Sequence, residues 1–154
     1  MYQSISPVNS ACGTALAYEE KDILKFDEGL IGMPQLRRMA LIHYTEIAPL
    51  LLLCSLDQPD VTFLVLEANA HLPDYAPRFS ANVQKQIGLA EGEMPVLLVT
   101  VTIAPEWTAS TINLRAPIVI GPTTMRGAQI ILLDSQYQLA EPLPFAQQET
   151  AVGK

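Results

Sequence analysis

The sequence predicts an all-β fold, a β-barrel or strongly curled antiparallel sheet with one short helix packed on it. Three observations lead there. Short apolar runs recur at near-regular spacing between Gly, Pro and Asp turn signals. Leu50 to Leu53 is apolar at consecutive positions, as strands covered on both faces or inside a closed barrel are, and Val96 to Ile103 is rich in β-branched residues. Only one stretch, Asp74 to Gly88, carries a helical period.

Residues 1–10 have no clear period and are expected to form a flexible arm. Residues 11–139 read as a single barrel domain, and 140–154, a mixture of Pro, Gln and Glu, as a weakly ordered tail. Ala11 to Tyr18 is a weak strand, and the acidic cluster Glu19, Glu20 and Asp22 turns it into a second strand at Ile23 to Phe26. Gly29 and Gly32 flank Leu30 and Ile31, which suits a tight loop whose apolar residues fold back onto the core. Pro34 to Met39 is expected to make one helical turn and Ala40 to Tyr44 a short strand. Gln58-Pro59-Asp60 turns the Leu50 run into Val61 to Leu66, a hairpin.

In the helix, Asp74 is the expected N-cap, Phe79, Val83 and Ile87 form the buried stripe, and Gly88 stops it. Glu91-Gly92-Glu93 makes an acidic loop, Val96 to Ile103 a strand ended by Pro105, and Trp107 to Ser110 a connection. The chain is organised around Thr111 to Gly121, TINLRAPIVIG. Ile112, Leu114, Ala116, Ile118 and Ile120 point one way, leaving Thr111, Asn113, Arg115, Pro117 and Val119 on a face outside the core. Pro117 has no N–H to give, so the strand lies at an edge there or is interrupted by a bulge, and Asn113 and Arg115 sit beside backbone open to a partner. Ala128 to Leu133 is the last strong strand.

A chain of 154 residues is most simply one domain. Hydrophobic residues make up 49% and charged ones 16%, which excludes a largely disordered chain, and no apolar run approaches the ~20 residues of a membrane span. MYQSISPVNS lacks the pattern of a secretory signal, so a cytoplasmic location with Cys12 and Cys54 as reduced thiols is expected. The formal net charge of −7 disfavours direct contact with nucleic acid and favours a basic protein partner. With only 6% aromatic residues and dispersed basic ones, a strand-binding oligonucleotide barrel is not supported either.

Catalytic motifs are missing: there is no G-x-x-x-x-G-K-[ST], G-x-G-x-x-G, H-E-x-x-H or C-x-x-C. His43, His71, Cys54 and Asp57 are scattered over separate elements, against a metal site. Cys54 ends an apolar strand, the ordinary place of an inert thiol, and Asp57 and Asp60 flank a Pro turn where Asp serves the backbone. No enzyme, metal or cofactor is expected. The competing reading is a small-molecule-binding β-barrel or a cysteine-dependent hydrolase using Cys54 with His43.

Four segments carry a resemblance. F-D-E-G-L-I-G-M at Phe26 to Met33, L-C-S-L-D at Leu53 to Asp57, F-L-V-L at Phe63 to Leu66 and T-I-N-L-R-A-P-I-V-I at Thr111 to Ile120 resemble, in that order, the flagellar assembly factor FliW family. Met33 stands where that family more often has Phe, and Gly121 where it often has Asn. The resemblance implies a cytoplasmic β-barrel without catalytic activity that binds flagellin and the translational regulator CsrA, relieving CsrA repression of flagellin mRNA. Asn113, Arg115 and Pro117, with the acidic Glu19, Glu20, Asp22, Glu91 and Glu93, are the expected partner-binding residues.

Overall fold

The computed structural model describes residues 3–4, 20–133 and 136–146. Ten strands make one sheet: β1 (Gln3–Ser4), β2 (Leu24–Lys25), β3 (Arg38–His43), β4 (Leu51–Ser55), β5 (Thr62–Glu67), β6 (Val96–Thr102), β7 (Thr111–Ile112), β8 (Ile118–Gly121), β9 (Arg126–Gln129) and β10 (Glu141–Pro142). Two short helices, α1 (Ala68–His71) and α2 (Ala81–Gln86), fall between β5 and β6. From β6 the sheet runs through β5, β4, β3, β2, β9 and β8, and β8 returns to β6 by pairing Ile120 with Val96 and Ile118 with Leu98. The result is a closed seven-strand barrel. Closure leaves those strands no long free edge, the standing hazard of an open sheet.

The consecutive apolar residues follow from burial on two sides. Along β6, Val96 and Leu98 point into the barrel with Phe26, Leu41, Leu53, Val65 and Ile118. Leu97 points out under α1 and α2 with Ala68, Ile87 and Val119, while Val99 and Val101 point out against Ile112 and Leu143. A strand with an apolar layer on each face has no reason to alternate.

The central strand is where expectation and structure part. Thr111 to Gly121 is two strands, β7 and β8, separated by a bend at 113–117. Pro117 and Val119, assigned by alternation to the outer face, are both buried. Pro117 marks the break, and Val119 is covered by the helical layer.

Other differences are local. The expected Asp74-to-Gly88 helix contracts to α2, whose N-cap is Ser80, its hydroxyl accepting from Val83 N–H at 3.3 Å. Residues 34–35 form a turn, not a helical turn, before β3 begins at Arg38. Beyond Leu139, β10 pairs with β7, and Leu143 and Ala146 are fully buried. Trp107 lies in a 3-10 turn, half-buried against Phe145 with ring centres 6.2 Å apart. The weak strand expected at Ala11 to Tyr18, with Cys12, lies outside the described residues. Cys54 is disulfide-bonded and fully buried, which replaces the expected reduced thiol and leaves the hydrolase reading without its nucleophile.

At the β4–β5 hairpin, Asp57 serves the backbone as expected. Its Oδ2 accepts from the N–H groups of Arg37 and Arg38, both at 2.9 Å, and its Oδ1 pairs with Arg38 Nε at 3.2 Å. Partial desolvation pushes this carboxyl up, but the hydrogen bonds together outweigh it and hold it below its ordinary 3.8.

Two outcomes follow from this packing. Leu98→Ala, which empties a fully buried site inside the barrel, is expected to cost about 3 kcal/mol in denaturant unfolding, without loss of the β signal. Because Asp57 is depressed in the folded state, its contribution is present above the unfolded value and is lost as pH falls through the lower folded one. The stability advantage of wild type over Asp57→Asn is therefore constant above about pH 5 and shrinks in acid, measured as midpoints across a pH series.

Candidate partner-binding groove

The bend between β7 and β8 is tied at both ends. Asn113 N–H donates to Thr100 O at 3.0 Å, and Asn113 Oδ1 accepts from the N–H groups of Arg115 at 2.9 Å and Ala116 at 3.1 Å. This is the local turn that a short amide side chain supports. Leu114 O accepts from Tyr75 Oη at 2.6 Å. Burial, with a smaller contribution from Tyr137, pushes the Tyr75 hydroxyl above its ordinary range, so it remains a donor at neutral pH. With its backbone fixed, the bend projects the Arg115 side chain.

Opposite the bend, the chain after β9 continues the ladder: Ile130 N–H donates to Pro117 O at 3.1 Å and Leu132 N–H to Arg115 O at 2.8 Å. Gln129 links two walls. Its Nε2 donates to Ala116 O at 3.1 Å, and its Oε1 accepts from Ile31 N–H at 2.9 Å. Ile31 sits at the tip of a tight turn in which Leu30 and Met33 bond each other. That turn needs Gly29: its φ is +67°, and a Cβ there would lie 2.5 Å from Pro34 O.

On the remaining side, the ladder between β5 and β6 ends at Val65 opposite Thr100, so Phe63 and Leu64 part from Val101 and Thr102. These elements surround a groove of about 760 Å³ that opens into the barrel through Leu30, Met33 and Ile118. Ile31, Ile131 and Leu139 line it while 42%, 57% and 63% exposed. They are half of the six large hydrophobic residues exposed among the described ones, which concentrates uncovered apolar surface on one face.

The expected residues divide. Arg115 and Asn113 line the groove half-buried, and among the described residues no carboxylate pairs with Arg115. Pro117 is buried and contributes its carbonyl to the ladder. Glu20 and Asp22 belong to a 3-10 turn, and Glu19 lies outside the described residues. Glu91 is exposed. Glu93 accepts from Thr123 Oγ1 at 2.6 Å and Ala90 N–H at 2.9 Å, which lowers its carboxyl below the ordinary value and ties the loop. Neither lines the groove.

Sequence reasoning missed Ile31, Gln129, Ile131 and Leu139. Leu30 does fold back onto the core, but Ile31 is turned outward by the two-residue tip. Among the described residues, no three His, Cys, Asp or Glu side chains are placed to hold a metal ion, and no helix is long and apolar enough to cross a membrane.

Residues 8–143 match the family model described as FliW protein. The flagellar assembly factor FliW of Carboxydothermus hydrogenoformans is 36% identical over 129 residues, covering 83% of this chain and 82% of that protein. Flagellar assembly factor FliW 2 of Desulfotalea psychrophila is 32% identical over 127 residues, 82% and 83% of the two chains. A crystal structure of the flagellar assembly factor FliW superposes with a TM-score of 0.76 at 28% identity, covering 82% of this chain and 89% of that one.

Gln129 is the test of how the groove is held. Gln129→Leu keeps the bulk but removes both bonds, leaving Ala116 O and Ile31 N–H without this partner. A loss of about 1–2 kcal/mol is expected, together with faster amide exchange at Ile31, both measurable by hydrogen exchange.

Proposed function

The chain belongs to the FliW family of flagellar assembly factors, and from that premise we propose that it is a non-enzymatic, cytoplasmic protein that binds flagellin and the translational regulator CsrA. Engaging CsrA relieves repression of flagellin mRNA, and flagellin competes for or switches that engagement. The observation that carries this reading is the groove: a half-buried cation without a described acidic partner, set among exposed Ile31, Ile131 and Leu139. Such a surface suits a polypeptide, whose side chains cover apolar area while a polar group meets the charge.

Charge supports the same direction. A net charge of −7 steers the protein toward a basic, RNA-binding regulator and away from RNA itself, with Glu91 one exposed contributor. The flagellin and CsrA roles are what membership of the family implies, and the groove is the surface proposed for them.

Arg115→Glu reverses the charge where the backbone is already fixed by Asn113 and Leu132. It is expected to weaken binding of flagellin, CsrA or both by tenfold or more, about 1.4 kcal/mol, with little change in thermal unfolding. Titration calorimetry showing wild-type affinity for both partners would remove the groove from this function.

A further inference from the structure

Among the described residues, the ladder beyond β9 uses only one of its two edges. Ile130 and Leu132 turn their N–H groups toward Pro117 and Arg115. Successive residues of an extended chain face opposite edges, so Ile131 and Leu133 turn theirs the other way. There no described residue bonds them. Both side chains are exposed, Leu133 at 88%. No charged residue or Pro occurs from Ala128 to Leu133 to guard this edge, as exposed edges usually require. One residue across the ladder, Arg115 lines the groove beside Ile131 and Leu139.

We infer that the groove takes an extended polypeptide segment, which adds as a strand along Ile131 to Leu133 and places one carboxylate against Arg115. This rests on the partner-binding reading for the site and adds the mode and chemistry of recognition. In strand addition the main chain supplies most of the bonds, so the occupant's sequence is constrained only by alternate apolar side chains and by the acid. Charge complementarity selects that acid, because the groove offers a cation and no described carboxylate to meet it. Two unrelated partners can then use one site, provided each presents an apolar strand with an acidic residue. A helical occupant would cover Ile31 and Leu139 but leave the N–H groups of Ile131 and Leu133 unbonded.

A library of random dodecapeptides displayed on phage, selected on wild type and counter-selected on Arg115→Glu, tests this without presuming a partner. Enriched peptides are expected to carry Asp or Glu within an alternating apolar run and to bind Arg115→Glu about tenfold more weakly than wild type. Affinity for Arg115→Lys should be retained, and replacing the peptide's acid by Lys should restore binding to Arg115→Glu. Hydrogen exchange on wild type with the synthesised peptide should slow the Ile131 and Leu133 amides. No enrichment, enriched peptides without an acid, or protection confined to other amides would overturn the inference. Purified flagellin and CsrA serve as competitors to separate it from the functional proposal. If the peptide meets every expectation and neither protein displaces it, the partner assignment falls and the strand mode stands. If flagellin binds while Ile131 and Leu133 exchange unchanged, the reverse holds.

Discussion

The structure depends on the demand placed on β6. This strand pairs with β5 on one side and on the other must serve two strands in turn, β8 along Val96 to Leu98 and β7 at Val101 and Thr102. The β8 pairing closes the barrel. Val101 pairs with Ile112 but Leu98 with Ile118, so six residues on this side answer three on β6 and the chain between β7 and β8 must step sideways out of the ladder. Residues 113–117 make that step. Asn113 stabilises it by capping two N–H groups, and Pro117 suits it because a residue leaving one ladder and entering another has no need of a donor.

The groove is a by-product of the same demand. Where β6 pairs with β7, at Val101 and Thr102, its ladder with β5 has already ended at Thr100 opposite Val65, and the groove lies between the unpaired stretches. Gln129 then spans from the bend to the turn at Ile31, a residue 98 positions away from it in sequence. A site made by closure is rigid where the ladder holds it, which favours recognition by a preformed surface.

Much of the barrel was legible from local pattern. The uninterrupted apolar run marked β4 as a strand buried on two faces, the turn at Gln58-Pro59-Asp60 marked β5 as its hairpin partner, β-branched residues marked β6, and Pro117 marked the interruption of the central strand, though not which side of it would be covered. The alternation argument failed at Val119 because period two assigns faces but does not say whether a helical layer lies on the second. The helix shortened because Ser80, not Asp74, caps it. Arg115 and Asn113 could be found through their motif, whereas Gln129, Ile131 and Leu139 become neighbours of Arg115 only when the sheet closes. No local signal encodes such a meeting, and the same holds for β10 against β7.

That last pairing bears on how the molecule is made. Glu141 and Pro142 flank β7, and Leu143 and Ala146 complete the apolar layer against Leu66, Val99 and Ile112. Synthesis delivers these residues after every strand of the barrel. The newborn chain therefore carries an uncapped β7 and an unfinished outer layer until β10 emerges, a window in which a holdase has more to grip than it has on the folded barrel.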